Sequence, residues 1–248
     1  MSSSTRQRKA ERDQARQRQQ QLYLVIVIAV VAVAAVAVVI LTTQPLSTPA
    51  EAALGEHYAG IERGTSEEGM PQLGSPDAPV TIHNYSSFTC PHCANFHDNQ
   101  FMELLSEVRA GEVRFVYVPV SNQSSAPATA AAFCAEEQGR FWEMHDMLYA
   151  WLWQYGGSAF AQARLVQGAE ELGLDTEAFS ACLNAPETQA RIEGANMLWF
   201  ALAQAYQGQP NEVTGTPTLT FNGVPPEWGS GAPNIEAIRQ VIAQVSGG

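Results

Sequence analysis

Two cysteines separated by two residues are the part of this sequence best suited to chemistry. They lie in the stretch Cys90-Pro91-His92-Cys93, which precedes apolar residues at helical spacing. A thiolate is the nucleophile in disulfide exchange, and a helix start stabilises it because unpaired N–H groups and the helix dipole point at the first cysteine. His92, when protonated, adds a positive charge, and Pro91 shapes the turn without competing for the sulfur. The stretch predicts a redox pair with Cys90 as the nucleophile.

Two other uses of this pair stay open at the level of sequence. The first is a plain structural disulfide. The second is a metal site, for which Cys90, Cys93 and His97 supply three ligands, but a fourth ligand is missing and the sequence has no second Cys-x-x-Cys. We therefore predict no metal, and we expect His97 to be a helix-surface or packed residue.

The elements that must position the pair alternate between strand and helix. Residues 80–85 and 112–120 have strand character and flank the helix that follows Cys90. Residues 218–221 form a third predicted strand, with Val224 as a candidate start of a partner strand, and residues 234–245 form a closing amphipathic helix. Because a crossover β-α-β unit requires parallel strands covered by helices, the sequence predicts an α/β fold. Helical periodicity over about residues 125–207 predicts a helical insertion inside it.

The N-terminal region has the features of a membrane anchor. Residues 22–41 contain no charge, and twenty helical residues at about 1.5 Å each span the roughly 30 Å hydrocarbon core of a bilayer. Six of the first 21 residues are Lys or Arg, so the positive-inside rule puts that end in the cytoplasm. We expect a basic tail over 1–21, an uncleaved transmembrane signal anchor over 22–41, an extracytoplasmic linker over 42–71 and a domain over 72–248. A cleaved signal peptide, cut near residues 50–53, is the alternative.

Charge and cysteine count restrict the partners of the residues that follow the predicted anchor. Beyond residue 41, seven arginines stand against 23 acidic residues, a net charge near −16, which argues against nucleic acid and anionic lipid. All four cysteines, the pair together with Cys134 and Cys182, lie in this part, where disulfides persist. An even number permits two bridges in any of three connectivities, and buried free thiols are the alternative for Cys134 and Cys182.

A second stretch completes a resemblance to a known family. The Cys-Pro-His-Cys stretch after a strand, the stretch Gly215-Thr216-Pro217-Thr218 before a later strand, and the helical insertion between them resemble the DsbA-like thiol–disulfide oxidoreductases of the thioredoxin superfamily. The stretches LGSPDAPVTI, CAEEQGRFWEMHDMLY and GTPTLTFNG resemble sequences of that family as well. The resemblance covers about residues 70–246.

The resemblance implies a fold and a role for each matching residue. It implies a thioredoxin-like fold with a helical insertion, an exposed nucleophile at Cys90, a buried partner at Cys93 and thiolate stabilisation by His92. Pro217 would be a cis-proline facing the pair, and Thr216 would offer its backbone to an extended substrate. It also implies a disulfide between Cys134 and Cys182, two positions similar to ones that some family members bridge.

The sequence departs from the family six positions before the first cysteine. Family members commonly carry a buried acidic residue there, whereas this chain has Asn84, and the acidic residue often found three before is Ser87. A neutral amide does not accept a proton from Cys93. His83 is a neighbour in sequence, but strand alternation points it to the opposite face. The group that serves Cys93 is therefore not identified by the sequence.

These features together predict a membrane-anchored thiol oxidase without a bound cofactor. It would donate the Cys90–Cys93 disulfide to unfolded exported proteins with cysteines. The resemblance implies a membrane reoxidase of the DsbB or VKOR type as a further partner. Two alternatives stay open: an anchored reductase or isomerase, and a non-catalytic binding module with the same fold.

Overall fold

Two parallel strands and the helix that connects them form the centre of the molecule. The computed structural model describes residues 55–231 and 233–247. Strand β3 (Val80–Ser86) pairs in parallel with β4 (Val113–Pro119), in a register that sets Asn84 opposite Tyr117. Both strands are almost wholly buried, as expected for a sheet with helices on its faces. The predicted β-α-β unit and the α/β class are confirmed.

The helical part of the connection between these strands contains a π-helical turn between two α-helices. It begins as α1 (Pro91–Phe96), continues as a π-helical turn (His97–Phe101) and ends as α2 (Met102–Arg109). Gly111 follows with a φ of 77°, a left-handed conformation that suits glycine at a helix end. A π-turn of this kind is rare and often accompanies a functional site, and here it directly follows the helical turn that contains Cys93.

Three shorter strands extend the sheet on both sides. Strands β1 (Arg63–Thr65) and β2 (Pro71–Leu73) are antiparallel to each other, β2 is antiparallel to β4, and β5 (Thr218–Phe221) is antiparallel to β3. The order across the sheet is β1-β2-β4-β3-β5. Strand β1 falls within the predicted linker over 42–71 and β2 begins at its last residue, so the sheet starts before the predicted domain boundary at residue 72. Val224 makes an isolated bridge to Phe221 rather than starting a strand.

Five helices follow β4 before the chain returns to the sheet. They are α3 (Ala126–Glu136), α4 (Phe141–Tyr155), α5 (Gln162–Glu171), α6 (Thr176–Cys182) and α7 (Pro186–Ala205). Their range agrees with the predicted insertion over about 125–207. The last helix, α8 (Ile235–Ser246), packs against β3 and β5. Its N-cap is Asn234, whose side chain accepts a hydrogen bond from the N–H of Ala237.

Aromatic side chains join the helical insertion to the sheet. Phe101 of the π-turn packs on Phe115 of β4, with ring centroids 4.7 Å apart, and on Trp142 of α4 at 5.9 Å. Aromatic contacts of this kind contribute about 0.5–1.5 kcal/mol each beyond the area that they bury. The helix after Cys93 is thereby held between the sheet and α4.

The predicted cytoplasmic tail and transmembrane helix, residues 1–21 and 22–41, lie outside the described residues. Within residues 55–231 and 233–247, the structure contains no helix with both the length and the apolar character needed to cross a bilayer.

Candidate active site

Cys90 occupies the N-cap of α1, immediately beyond the end of β3. Its N–H donates to the carbonyl of Ser87, and its own carbonyl accepts from the N–H groups of Cys93 and Ala94 at 3.0 and 3.1 Å. Pro91 is the first helical residue, a position that tolerates proline because its missing N–H has no helical partner. The N–H groups of His92 and Cys93, in the first helical turn, also act on the Cys90 sulfur.

The two thiols have opposite environments. Cys90 is half-buried and Cys93 is fully buried, and neither is in a disulfide in this structure. A hydrogen bond from Cys93, together with the side chain of Thr216 and the backbone N–H groups of Cys93 and His92, outweighs partial burial and lowers the pKa of Cys90 to about 5. Burial, followed by the proximity of Cys90, raises the pKa of Cys93 well above its ordinary value.

His92 is exposed on the first turn of α1. The contribution of this residue to the low pKa of Cys90 comes from its backbone N–H. The role that the sequence assigns to its ring, a positive charge beside the thiolate, stays a prediction. Its ring lies instead at a cleft that also reaches Pro217.

The Thr216–Pro217 peptide bond is cis and lies against the nucleophile. In its protonated form, the Cys90 thiol donates to the carbonyl of Thr216 at 3.4 Å. Ser230 holds this loop, because its Oγ accepts from the N–H groups of Thr214 and Gly215 at 2.8 and 3.0 Å. Ser230 carries no signal in the sequence, since it meets the loop only through the fold.

Two open clefts meet at the Cys90–Thr216 contact. One, of about 450 Å³, is lined by Cys90, Val120, Trp199, Phe200 and Thr216, among others. The other, of about 370 Å³, lies on the side of His92 and Pro217. Both clefts share Gly215 and Thr216, so an extended chain crossing the site would pass directly over Cys90.

Cys93 lies among hydroxyl and amide groups. The N–H of Ser87 donates to its sulfur at 3.4 Å, and the Ser86 hydroxyl acts to lower the pKa of Cys93 against the larger effect of burial. Asn84 is buried nearby on β3, and its Oδ1 has no hydrogen-bond partner. The departure from the family at Asn84 is visible in the sequence, whereas Ser86 carries no signal there. Both residues point to the same face of β3 because their positions differ by two.

Cys134 and Cys182 form a disulfide that joins α3 to α6, with their Cα atoms 5.8 Å apart. This pairing is the one that the family resemblance implies. The loop that it closes spans 48 residues and includes α4 and α5, so the bridge holds the helical insertion together.

His97 is buried and belongs to a hydrogen-bonded cluster around Asp146. Its two ring nitrogens lie 2.9 Å from Asp146 Oδ1 and 2.8 Å from Asp98 Oδ1. His145, His57 and Tyr58 also hydrogen-bond the Asp146 carboxylate, at 3.2, 2.8 and 2.6 Å. The ligand-type atoms of His97, His145 and Asp146 lie within 4.8 Å of one another. These groups satisfy each other by hydrogen bonds, which gives His97 the packed position that the sequence analysis expected.

Comparison with known structures and families supports the fold. A family model described as Thioredoxin matches residues 65–242. The crystal structure of a thioredoxin-like oxidoreductase from Silicibacter pomeroyi DSS-3 superposes with a TM-score of 0.59 at 24% identity, covering 74% of this chain and 95% of that one. The thioredoxin-like fold predicted from the sequence is thereby confirmed.

Curated relatives match over part of their length. The Na(+)/H(+) antiporter NhaA 3 of Salinispora tropica is 32% identical over 171 residues, which cover 68% of this chain and 24% of the antiporter. Disulfide bond formation protein D of Bacillus subtilis is 30% identical over 89 residues, which cover 34% of this chain and 40% of that protein. The chain therefore spans about a quarter of the antiporter and two fifths of the Bacillus protein.

Proposed function

The chain belongs to the thioredoxin family, and on that basis we propose that it is an extracytoplasmic thiol–disulfide oxidoreductase that donates its Cys90–Cys93 disulfide to exported proteins. The contrast between the two sulfurs carries the proposal. Cys90 is accessible and has a pKa of about 5, whereas Cys93 is buried and has a raised pKa. Similarity to a protein named Disulfide bond formation protein D supports the same class of reaction.

The low pKa of Cys90 gives the reaction its direction. Stabilising the thiolate stabilises the reduced protein, which makes the disulfide a stronger oxidant. An ordinary thiol has a pKa of about 8.5 and is mostly protonated at neutral pH, whereas Cys90 is almost wholly ionised. The Cys90–Cys93 disulfide is therefore expected to oxidise client thiols rather than to be formed from client disulfides.

The transfer proceeds in two exchanges. A client thiolate attacks Cys90 Sγ, a new sulfur–sulfur bond forms, and the electron pair of the broken Cys90–Cys93 bond goes to Cys93. A second client thiolate then attacks the first client sulfur and releases Cys90 as a thiolate. The client has lost two electrons and the pair has gained two. At neutral pH one client proton ends on Cys93, and the other goes to solvent because Cys90 stays ionised.

The shape of the site suits an unfolded client. The clefts on both sides of Thr216 leave room for side chains before and after the reacting cysteine. Trp199 and Phe200 give one cleft an aromatic wall, and Phe200 is 58% exposed, so this cleft presents apolar surface to a client. Exposed apolar groups of an unfolded chain would bind there without a fixed sequence.

The partners and the location follow from the sequence and belong to the same proposal. An anchor over residues 22–41 would hold the domain at the outer face of the cell membrane. A membrane reoxidase of the DsbB or VKOR type would accept the two electrons from Cys90 and Cys93. No bound cofactor is needed for either exchange, since both involve only sulfur.

The direct test mixes the oxidised full chain, in detergent, with reduced unfolded ribonuclease. We expect two client thiols to disappear for each chain reduced. Cys90→Ser and Cys93→Ser should each abolish the transfer, because neither variant can hold the Cys90–Cys93 disulfide. Client thiols that stay free while the pair stays oxidised would contradict the proposal and support a non-catalytic module. Reduction of client disulfides by the reduced chain, without the reverse transfer, would support the reductase alternative.

A further inference from the structure

The buried sulfur poses a problem that the reaction must solve. When a client thiolate attacks Cys90, Cys93 leaves as a thiolate. Cys93 is fully buried, and burial alone disfavours a charged sulfur. Some group must therefore stabilise the negative charge that develops on Cys93 as the bond breaks.

Asn84 does not meet this need. It is not among the groups that act on Cys93 by hydrogen bonding in the described residues, and its buried Oδ1, a hydrogen-bond acceptor, has no partner. The groups that do act on Cys93 from the sheet are the hydroxyl of Ser86 and the N–H of Ser87. Both are hydrogen-bond donors.

The Ser86 hydroxyl is the end of a longer chain of hydroxyls. The OH of Tyr149, on α4, donates to Ser86 Oγ at 3.2 Å, and the OH groups of Tyr149 and Tyr117, on β4, are 2.9 Å apart. Ser86 and Tyr117 are fully buried and Tyr149 is 1% exposed, so water does not compete for these bonds. When Tyr117 donates to Tyr149, all three hydroxyl protons point along the chain toward Cys93.

We propose that the hydroxyl chain Tyr117–Tyr149–Ser86 stabilises Cys93 as the leaving thiolate and takes the place of a buried acid in this enzyme. Ser86 is the catalytic residue, because it contacts the reacting sulfur. Tyr149 and Tyr117 are positioning residues that orient and polarise the Ser86 hydroxyl. Hydrogen bonds in such a chain strengthen one another in a dry interior. The inference rests on the proposed thiol–disulfide exchange.

The chain donates hydrogen bonds and transfers no proton. Sulfur receives the electron pair of the broken bond and holds it as a thiolate while Ser86 donates to it. The proton that later neutralises Cys93 comes from the second client thiol. In the reverse direction Cys93 loses that proton and attacks the mixed disulfide, and the same hydroxyls stabilise the attacking thiolate. The chain therefore speeds the exchange in both directions.

Removal of single hydroxyls tests the proposal. The rates of glutathione attack on the oxidised full chain, and of the reverse step, would be measured by stopped flow from pH 5 to 9. We expect Ser86→Ala to slow both directions about tenfold, Tyr149→Phe about threefold to fivefold and Tyr117→Phe about twofold, since hydrogen bonds to a charged group are stronger than neutral ones and their effect declines along a chain.

A matched control separates the chain from general packing. Tyr85→Phe removes a hydroxyl from the same strand as Ser86 but outside the chain, and both rates should stay within about twofold of the unsubstituted protein. Because the hydroxyls act on a transition state, the equilibrium constant of the exchange should change by less than about twofold in every variant. A purely structural role would lower the resistance to urea and leave both rates unchanged.

The outcomes distinguish failure of the proposed hydroxyl chain from failure of the proposed function. If Ser86→Ala fails to fold, Tyr149→Phe carries the test, because it keeps the ring that packs on Phe88. If folded Tyr149→Phe exchanges at the same rates as the unsubstituted protein, the proposed role of the hydroxyl chain is overturned and the proposed function is not. An unsubstituted protein whose disulfide does not exchange with glutathione at all would instead overturn the proposed function.

Discussion

At the scale of single residues, the ionisation of Cys90 is controlled by short contacts. Cys93 acts on it first, followed by the Thr216 side chain and by N–H groups of the first helical turn. These contacts come from two separated stretches of the chain, which explains why a Cys-x-x-Cys motif alone does not determine a redox potential. The N–H groups depend on the fold rather than on a side chain, so substitution removes only part of the effect.

Thr216→Val tests the side-chain contribution. The valine keeps the shape of threonine and the main-chain carbonyl that contacts Cys90, but it lacks the side-chain hydroxyl that lowers the pKa of Cys90. We expect the pKa of Cys90 to rise by about 0.5–1 unit, since a hydrogen bond to a half-exposed charge is worth about 1 kcal/mol and one unit corresponds to 1.36 kcal/mol. The thiolate absorbance at 240 nm, followed against pH, measures the pKa of Cys90. Thr214→Val, at an exposed position of the same loop, is the control and should leave the pKa unchanged.

At the scale of elements, Asp146 connects three parts of the fold. Its carboxylate accepts from His57 and Tyr58 before the sheet, from His97 in the π-turn and from His145 on α4. Burial would raise the pKa of Asp146, but hydrogen bonds from the histidines hold it well below its usual range. The cluster therefore fastens the helix that follows Cys93 to the insertion.

Asp146→Asn should destabilise the fold by about 3 kcal/mol, because removal of one partner from a buried charged network leaves the other groups uncompensated. Urea unfolding at pH 6.5 measures this loss. Asp98→Asn is the control. The Asp98 side chain is 45% exposed, so water can replace the hydrogen bonds that it makes. This substitution should therefore lower the free energy of unfolding by less than about 1 kcal/mol.

The same cluster predicts the pH dependence of stability. Burial lowers the pKa of His97, but hydrogen bonds to Asp146 and Asp98 outweigh it and raise the value to about 9. The stability that His97 contributes is present below its unfolded pKa of 6.5 and is lost as pH rises toward 9. Burial lowers the pKa of His145 to about 4, so its contribution is lost as pH falls from 6.5 toward 4. Unfolding free energy should be highest near pH 6.5, and its loss between pH 6.5 and 9 should be smaller in Asp146→Asn because Asp146 helps to raise the pKa of His97.

The packing of the insertion depends on one glycine. A Cβ at Gly168 of α5 would lie 2.4 Å from a ring atom of Trp151 and 2.7 Å from the sulfur of Met147. Gly168→Ala should therefore destabilise the fold by about 1–3 kcal/mol, although alanine favours a helix. Gly194→Ala, in α7 with no atom within 4 Å of its Cβ position, should instead stabilise by about 0.5–1 kcal/mol. Denaturant midpoints of the two variants measure both effects, and equal shifts would contradict the packing argument.

At the scale of the whole molecule, the sequence determines the central unit but not its edges. Strands β3 and β4 and the helix after Cys90 were predictable, because long apolar patterns and a motif define them. Strands β1 and β2 were not, since three-residue strands in a polar segment have no readable alternation. Their place at the sheet depends on pairing with β4, which only the fold provides.

The candidate site likewise contains contacts that the sequence predicts and contacts that it does not. The contact of Cys90 with Thr216 could be predicted from two motifs that resemble a known family. Ser86, Tyr149 and Tyr117 could not be connected, because they come from β3, α4 and β4 and meet only after the insertion packs. Ser230 joins the site for a similar reason, from a loop that follows β5.

The reduction potential of the Cys90–Cys93 pair tests the central claim most directly. The oxidised full chain would be equilibrated in detergent with glutathione buffers and the fraction of the disulfide quantified. Because Cys90 is ionised and stabilised when reduced, we predict a potential of about −120 to −150 mV, in the range of strong disulfide donors. A potential near about −270 mV, in the range of thioredoxin, would contradict the proposed direction of transfer and make the chain a reductase.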